Sequence, residues 1–537
     1  MHRGHPLSAL SILVAVPVLA QGVLETATLD RSEEFVELIA GEFAGIDGLP
    51  IDALTFYSWR GASFSPIPHQ VDEVGPNGGY FGTDEDPGNF DPNDEIVFVL
   101  EDAGDRVYTD VWAPNGDPSR WEIEVEDPLN PGEKSWVYVF TGGDVPGSSA
   151  DYVQVLNNNP LQLSTTYYEE GFREDGPATQ TDMIVYPQRG NGQDSMDRLK
   201  LRTKLFSFSS WDTEEDSEID PERWNIKDGT IRIINSFWVS LGELLDLTHA
   251  TVTFYPQMTT VDNDVNQITW PELRAIVWLE DLNQAAGSSG GFWYHDNRGP
   301  DPEADVTFSD QVDGGGEQDT ADDPALFYEW ASADYGRMIF IQSVQPILDQ
   351  GGNGSAHAYY CDGCTTAPWP DTGDMEKWGE FGTWIKKIPV STFSILAWNF
   401  RLDGANPETS IGGEYGRRYL NHVSKSITTQ LSTSVEGDAP SAPALGVALA
   451  QNAPNPFNPR TQIVFTTAEA VSDAKLAVFD HSGRLVRTLV NGAIEAGAHS
   501  VTWEGRDEAG LSVPSGIYLY RLEAGNQVLT RRMALVK

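Results

Sequence analysis

Short apolar runs of strand length, closed by turn-forming residues, constrain the fold of this chain more than any other feature. In residues 121–126 apolar and acidic side chains alternate, which is the period-two pattern of a half-buried strand. Runs rich in β-branched or aromatic residues and bounded by Gly, Asp, Asn or Pro occur at 96–100, 136–140, 231–234, 276–279, 338–341 and 393–398. Only 32–40 and 413–426 show the spacing of short helices. The pattern predicts an all-β chain, with residues 21–430 in one large β-sandwich or two smaller ones.

Residues 1–20 have the layout of a secretory signal peptide. Arg3 gives a positive start, residues 7–20 are mostly apolar, and the predicted cleavage precedes Gln21. A membrane-spanning helix needs about 18 or more apolar residues in a row, and no other run in the sequence comes close. We therefore expect an exported mature chain without a transmembrane segment, located outside the cytoplasm.

The negative charge is concentrated in residues 21–430, which we call the passenger. The chain has a formal net charge of −47, yet residues 441–537 carry 8 acidic and 9 basic side chains. Residues 431–448, which are rich in Ser, Thr, Ala and Pro, have the composition of a linker. A surface this acidic repels nucleic acid and anionic membranes, and it favours cations or high salt. We therefore expect no nucleic-acid partner.

Residues 449–537 carry a combination of motifs that the passenger lacks. These are an Asn-Pro-Phe-Asn-Pro opening, a Gly-Arg turn, a Gly-x-His-x-Val-x-Trp strand and a Ser-Gly-Ile-Tyr hairpin. Their key residues are Asn455, Pro456, Phe457, Asn458, Pro459, Gly483, Trp503, Gly516 and Tyr518. About seven short alternating runs, separated by Gly-containing turns, suit a small immunoglobulin-like sandwich. Gly510 is one of the glycines expected in a tight turn.

These motifs resemble the C-terminal sorting domains of the type IX secretion system. They resemble equally the immunoglobulin-like domain of the flagellar hook-capping protein. The resemblance covers residues 449–537 and nothing upstream. The sorting resemblance implies contact with an outer-membrane secretion machinery, which delivers the passenger through the periplasm to the cell surface or the medium. A cleavable signal peptide and a large acidic passenger are foreign to hook assembly, so the sorting interpretation is preferred.

An acidic stretch at 84–95 is the candidate metal site. It holds six acidic side chains and no basic one. Carboxylate and amide oxygens are the ligands that Ca²⁺ prefers, and a bound cation relieves the repulsion between crowded carboxylates. The predicted calcium ligands are Asp84, Asp86, Asp91, Asn93 and Glu95. The alternative is a solvated turn, because the glycine of an EF-hand loop is missing. No other cofactor is predicted.

The only two cysteines, Cys361 and Cys364, are separated by Asp-Gly. Export favours oxidation, and Asp-Gly provides a turn that closes a small disulfide ring. A structural zinc site needs four ligands, and only His357 lies near enough in sequence to add a third. We therefore predict a Cys361–Cys364 disulfide.

The passenger shows no identifiable catalytic motif. The preferred interpretation is a non-catalytic surface or secreted protein that is structural or binds polymers such as extracellular glycans. The alternative is a secreted polysaccharide hydrolase or lyase that uses a carboxylate with His69, His295 or His422. Residues 65–73 resemble a stretch in β-sandwich domains of secreted polysaccharide-active bacterial proteins.

The tryptophans bear on the choice between these two interpretations. Fifteen of the 16 tryptophans lie in the passenger, and Trp369, Trp378, Trp384 and Trp398 are close in sequence. Exposed tryptophans beside two carboxylates would favour the enzyme, because exposed rings stack on sugars. Buried rings, which we expect here, fill sandwich cores and favour the non-catalytic protein.

Overall fold

The structure is a computed structural model that describes residues 23–535 with internal gaps. The gaps are 76–78, 82–86, 114–118, 142–145, 174–178, 205–209, 214–216, 220–223, 242–244, 266–274, 284–291, 297–307, 314–316, 323–325, 334–335, 346–354, 364–368, 370–378, 387–392, 403–410, 432–446, 450–451, 453–456, 458, 468–469, 481–483, 509, 514–515 and 525–526. The predicted signal peptide and most of the predicted linker lie outside the described residues.

The described residues of the N-terminal part of the passenger form nine strands and three short 3₁₀ helices. The strands are β1 (Val23–Glu25), β2 (Phe35–Ile39), β3 (Leu54–Arg60), β4 (Ser63–Pro66), β5 (Gln70–Asp72), β6 (Glu95–Val99), β7 (Arg106–Val107), β8 (Ser119–Glu126) and β9 (Lys134–Thr141). The 3₁₀ helices cover Ala40–Glu42, Ile51–Ala53 and Leu100–Asp102. Strands β2, β6 and β5 form one sheet in that order, and β1 pairs with β7.

The described residues in the middle of the passenger form twenty strands. They are β10 (Val153–Asn158), β11 (Leu161–Thr165), β12 (Tyr168–Phe172), β13 (Gln180–Val185), β14 (Met196–Lys204), β15 (Asp212–Thr213), β16 (Ser217–Ile219), β17 (Asn225–Lys227), β18 (Ile233–Leu241), β19 (Leu245–Phe254), β20 (Met258–Val265), β21 (Ala275–Leu282), β22 (Phe292–Asp296), β23 (Phe308–Val312), β24 (Glu317–Asp322), β25 (Leu326–Ala333), β26 (Gly336–Gln345), β27 (Ser355–Asp362), β28 (Glu380–Lys386) and β29 (Phe393–Leu402).

These middle strands form three sheets whose pairings are antiparallel. The first sheet has the order β10-β11-β12-β13. The second has the order β15-β14-β21-β28-β27-β24. The third has the order β16-β18-β19-β20-β29-β26-β25-β22-β23, with β17 also paired to β18.

The last described segment of the passenger packs against its N-terminal part. Helix α1 (Ile411–Leu420) is followed by β30 (Ser424–Leu431), which pairs with β8 and completes a sheet of order β30-β8-β9-β3-β4. This five-stranded sheet and the β2-β6-β5 sheet share one hydrophobic core. Val36 and Leu38 enter that core from β2, and Ile123 and Val125 enter it from β8. The N-terminal part is therefore a sandwich, with the middle strands inserted between β9 and β30.

Arg31 connects the start of the passenger to the end of helix α1 through hydrogen bonds. Its guanidinium is buried and donates to the Glu34 carboxylate at 2.7 Å and to the Asp127 carboxylate at 3.2 Å. It also donates to the carbonyl oxygens of Arg418 and Asn421, at 3.0 and 2.7 Å. These two carbonyls lie in and after the last turn of α1, where helical carbonyls lack intrahelical partners.

The C-terminal strands form a separate pair of sheets. They are β31 (Val447–Leu449), β32 (Thr461–Thr467), β33 (Val471–Asp480), β34 (Leu485–Ile494), β35 (Gly497–Trp503), β36 (Gly516–Ala524) and β37 (Gln527–Leu535). The orders are β31-β32-β35 and β34-β33-β36-β37, and side chains from both sheets form one core. Gly510 has φ +79° in the turn before β36, as its predicted turn position requires. We call residues 447–535 the C-terminal module.

The all-β prediction is confirmed, and one of the two helix predictions is wrong. Residues 35–39 of the predicted helix 32–40 form β2, because Val36 and Leu38 alternate into the core. The 413–426 prediction is half right, since α1 ends at Leu420 and β30 begins at Ser424. Among the described residues α1 is the only α-helix.

Candidate functional site

Three motif residues of the C-terminal module, Phe457, Trp503 and Tyr518, lie in its core. Trp503 is 1% exposed, and its ring lies 5.5 Å from that of Phe457 and 5.1 Å from that of Tyr518. The Trp503 indole N–H donates to the Arg506 carbonyl at 2.9 Å. Gly516 begins β36, and Pro459 is exposed ahead of β32. The remaining motif residues, Asn455, Pro456, Asn458 and Gly483, lie outside the described residues.

Polar contacts that the sequence did not single out bond the start of the module to both of its sheets. The backbone N–H of the buried Asn452 donates to the Tyr520 hydroxyl at 2.8 Å, and its side-chain amide donates to Thr461 Oγ1 at 2.9 Å. Arg531 on β37 donates from Nε to the Leu449 carbonyl at 2.6 Å. The segment that leads out of the linker is thus bonded directly to β36 and β37.

The acidic stretch is only partly described, since Asp84 and Asp86 lie outside the described residues. Asp91 accepts the backbone N–H of Asn93 at 3.2 Å, and the Asn93 side-chain amide donates to the carbonyls of Val74 and Gly75. Glu95 accepts from Arg232, whose positive charge opposes a cation at that carboxylate.

The calcium site remains a prediction. Within the described ranges, no cluster of three or more His, Cys, Asp or Glu side chains is suited to hold a metal ion. Two of the five predicted ligands, Asp84 and Asp86, lie outside those ranges.

Arg232 is the centre of a buried ion cluster between the two parts of the passenger. Its guanidinium lies 2.7 Å from the Asp72 carboxylate, 2.7 Å from Glu95 and 3.3 Å from Glu37. Lys227 adds a second cation, 2.9 Å from Asp72. The acids belong to β5, β6 and β2, whereas Arg232 directly precedes β18. The cluster therefore joins the N-terminal sandwich to the third of the middle sheets.

The charges of this cluster set the protonation of its members. Burial alone would raise the pKa of Asp72, but Arg232 and Lys227 outweigh it and hold that pKa below its ordinary value. Burial, reinforced by the nearby Glu37, raises the pKa of Glu95. The Tyr80 hydroxyl donates to Glu95 at 2.8 Å.

Residues 65–73 contribute to the cluster through Gln70 and Asp72. The Gln70 side-chain carbonyl accepts the backbone N–H groups of Ile231 and Arg232 at 3.0 and 2.9 Å. Its amide donates to the Asp72 carboxylate at 2.9 Å. The stretch that resembles polysaccharide-active proteins therefore connects the N-terminal sandwich to the segment that precedes β18.

The three histidines named for the enzymatic alternative make packing contacts. His69 stacks on Phe56 with 4.4 Å between ring centroids, and burial lowers its pKa to about 4. His295 is 1% exposed and lies 2.7 Å from Ser309 Oγ, and burial lowers its pKa to about 4 as well. The exposed His422 packs edge-on against Trp398 at 4.6 Å.

One buried pair of carboxylates lies next to His295 in the sequence. The Tyr294 hydroxyl is 2.8 Å from Asp296 Oδ2 and 2.8 Å from Glu329 Oε1. Both carboxylate residues are 0% exposed. A polysaccharide has no access to this pair in the structure.

The neighbouring tryptophans pack against each other. Trp369 is buried between Trp211 and Trp384, with centroid distances of 5.7 and 5.0 Å. Trp384 and Trp398 are half-buried, and Trp378 lies outside the described residues. The described tryptophan rings thus pack against neighbouring side chains, as expected, and do not form an exposed surface for stacking on sugars.

Cys361 is buried and takes part in a disulfide. Cys364, the only other cysteine in the sequence, lies outside the described residues, so the pairing stays a prediction.

Helix α1 is too short to span a bilayer, and no described helix is both long and apolar enough to do so.

Comparison with known proteins identifies one part of the chain. Residues 457–527 match the FlgD Ig-like domain. The chain is 43% identical over 49 residues to the basal-body rod modification protein FlgD of Salmonella typhimurium, and equally so to that of Salmonella typhi. Each match covers 9% of this chain and 21% of the relative. The chain therefore spans about a fifth of the length of the curated relatives it matches.

Solved structures with some likeness include two proteins of Porphyromonas gingivalis. Dimeric latent PorU is 10% identical, with 78% of this chain and 29% of that chain covered and a TM-score of 0.16. PorZ, described as an essential surface component of the type-IX secretion system, is 10% identical, with 75% and 73% covered and a TM-score of 0.12. The adhesin domain of Epf from Streptococcus pyogenes is 7% identical, with 63% and 92% covered and a TM-score of 0.13.

Likenesses with TM-scores this low carry no argument about fold or function. The match to the FlgD Ig-like domain agrees with the two-sheet architecture of the C-terminal module. Within this chain, residues 457–527 are an immunoglobulin-like domain that is similar to the one in FlgD.

Proposed function

We propose that this chain is an exported protein whose C-terminal module delivers the acidic passenger to the cell surface or the medium. The observation that carries the proposal is the Ig-like domain at residues 457–527, which coincides with the sorting-domain motifs. Its described motif residues Phe457, Trp503 and Tyr518 form the core of a module with its own two sheets. A module with its own core can be appended to a passenger without contributing to the passenger's task.

The difference in net charge between the passenger and the C-terminal module supports different roles for them. Residues 441–537 carry 8 acids and 9 bases, whereas the passenger holds almost all of the net charge of −47. An acidic passenger surface favours solubility and resists aggregation outside the cell. A near-neutral module is better suited to contact a protein partner, such as an outer-membrane secretion machinery.

We propose a non-catalytic role for the passenger, as a structural or glycan-binding protein. His69 and His295 are neutral packing residues, and the Asp296–Glu329 pair is buried. Charged side chains such as Arg232 and Asp72 join the parts of the fold. These residue types would support hydrolysis only from an accessible cleft.

Removal of residues 449–537 tests the delivery role. The shortened chain should accumulate in the periplasm of the producing bacterium, whereas the full chain should reach the surface or the medium. A full chain with Leu511→Ala is the matched control, because Leu511 is 66% exposed in the module, and it should be exported normally. Normal surface display of the shortened chain would refute the proposal.

A glycan screen tests the role of the passenger. Purified residues 21–431 are incubated with soluble and insoluble polysaccharides, and both binding and cleavage are scored. Binding without cleavage supports the proposal. New reducing ends or unsaturated products would instead establish the hydrolase or lyase alternative.

A further inference from the structure

Among the described residues, strand β30 is an edge strand of the N-terminal five-stranded sheet. In the order β30-β8-β9-β3-β4, β30 bonds to β8 on one side, and no strand of the described residues pairs with its other side. An edge strand presents a row of backbone N–H and C=O groups that can pair with another chain. The β30 strand has eight residues, which is long for an edge strand.

The opposite edge of the same sheet is protected in the usual way. Strand β4 has four residues and ends at Pro66, and Pro68 follows two positions later. Proline cannot donate to a further strand, and a short edge offers few bonds. Strand β30 contains neither proline nor glycine, and Ile427, Thr428 and Thr429 are good strand formers.

Lys425, the one charged residue of β30, has its charge compensated within the same molecule. Lys425 turns toward the β2-β6-β5 side, where its Nζ lies 3.2 Å from Glu42 Oε2 and donates to the Glu37 carbonyl. An inward-pointing lysine protects an edge when a partner strand would bury its unpaired charge. Here that charge is engaged within the same molecule.

The exposed side chains of β30 are uncharged, in a chain whose net charge is −47. Ser424, Ser426 and Thr428 are exposed and lie opposite Glu126, Glu124 and Glu122 of β8. Those carboxylates have cationic partners: Glu122 is 2.8 Å from Arg106, and Lys134 is 2.7 Å from Glu124 and 3.7 Å from Glu126. This edge therefore lacks the repulsion that most of the passenger surface would exert on a second copy.

We propose that β30 pairs antiparallel with β30 of a second copy of this chain, which joins two five-stranded sheets into one continuous sheet in a two-fold dimer. Two-fold pairing uses the same surface on both copies and places Ser and Thr opposite Ser, Thr or Gln. Hydroxyl side chains of this kind form favourable cross-strand pairs. The net negative charge opposes association at a distance, so salt strengthens the dimer.

Sedimentation velocity on the complete mature chain tests this proposal at protein concentrations from about 1 to 100 µM. The dimer fraction should rise between about 50 mM and about 500 mM NaCl, as screening weakens the like-charge repulsion. Ser426→Lys with Thr428→Lys places like charges along the shared edge and should weaken the dimer about tenfold or more. The matched control, Ser63→Lys with Ser65→Lys on β4, should leave the dimer unchanged.

Hydrogen exchange of the unmodified chain provides a readout that does not depend on the folding of a variant. Backbone amides within 424–431 should gain protection as the protein concentration rises, while those of β4 should not. A chain that stays monomeric throughout would overturn the proposal. So would a dimer that the β30 variant leaves intact, or β30 protection that is independent of protein concentration.

Discussion

Several of the passenger's basic side chains lie inside the protein, each surrounded by hydrogen-bond acceptors or aromatic rings. Arg31 and Arg232 bind carboxylates, as described above. Arg120 is enclosed by aromatic rings, with its guanidinium 4.6 Å from the Tyr138 ring and 4.7 Å from the Trp112 ring, and it donates to Gln430 at 2.9 Å. Removal of one such partner leaves the others buried without compensation, which costs more than the intact interaction contributes.

Arg232→Met should destabilise the passenger by about 3–5 kcal/mol, because Asp72, Glu95 and Glu37 would lose the buried guanidinium that they share. Urea unfolding followed by tryptophan fluorescence measures the change. Lys134→Met is the control: its ammonium is 2.7 Å from Glu124, but both side chains are partly exposed, so the loss should be about 1 kcal/mol or less. Equal losses in the two variants would contradict the role given to the buried cluster.

The stability contributed by three buried carboxyl groups should fall as the pH rises from about 5 to about 8, while the buried His69 and His295 act in the opposite direction up to about pH 6.5. Burial raises the pKa of Glu34 to about 7, despite Arg31 beside it, and burial raises those of Asp102 and Glu170 to about 6. These folded-state values exceed the unfolded ones, so the folded chain binds more protons and its added stability is lost as the pH passes through them. One such group contributes at most about 1.4 kcal/mol per pH unit.

Thermal unfolding at several pH values, with the ionic strength held constant, measures this dependence. Glu34→Gln keeps an acceptor for Arg31 without the titration, so its melting temperature should rise relative to that of the unmodified chain between about pH 5 and about pH 7. A difference between the two chains that does not change with pH would exclude Glu34 as a contributor.

The chemical character of these residues could be predicted from the sequence, but the residues that they bind could not. The density of acidic groups at 84–95 was evident, but the use of Glu95 by Arg232 was not. Asp72 and Arg232 are 160 residues apart, and a single sequence carries no local signal that two such residues meet. The importance of Gln70 and Asn452 was missed for the same reason, since their bonds depend on tertiary packing.

Among the elements, strands were predicted well where alternation was strong. Residues 121–126 lie within β8, and the runs at 136–140 and 393–398 lie within β9 and β29. Alternation reports one buried face locally, so it requires no knowledge of the partner strand. Pairing is different: β30 joins β8 across nearly the whole passenger, and its Ser- and Thr-rich sequence gave no sign of that partner.

The pairing of β30 predicts where the passenger can be truncated. A chain of residues 21–431 should fold, because all eight register pairs with β8 are retained. A chain of residues 21–423 should be insoluble or readily proteolysed, since it loses the packing of Ile427 on the core and the bonds of Gln430 to Arg120 and Glu122. Soluble yield and limited proteolysis compare the two, and equal resistance would contradict the closing role of β30.

Trp503→Ala should destabilise the C-terminal module by about 3–5 kcal/mol, because it removes a buried ring that contacts Phe457 and Tyr518. Calorimetry of the full chain should show a lower transition for the module, with the passenger transition unchanged. Leu511→Ala, at an exposed position, should change stability by no more than about 0.5 kcal/mol. A loss shared by both transitions would show that the module is not an independent core.

At the scale of the whole molecule, the two ends of the passenger meet, and its last strand includes residue 431, where the predicted linker begins. Arg31 binds the end of α1, and β30 returns to the first sandwich and ends at Leu431. The C-terminal module starts at Val447 with a separate core and a near-neutral charge. The N-terminal sandwich and the C-terminal module thus have separate cores, as the proposed delivery role requires.

The most direct test of that role is to move the module to another protein. A reporter that follows residues 1–20 and precedes residues 432–537 is produced in the bacterium that makes this chain, beside the same reporter without residues 432–537. Cell fractionation and surface labelling should find the first reporter at the surface or in the medium and the second in the periplasm. Retention of both reporters in the periplasm, while the full chain is exported, would contradict the account.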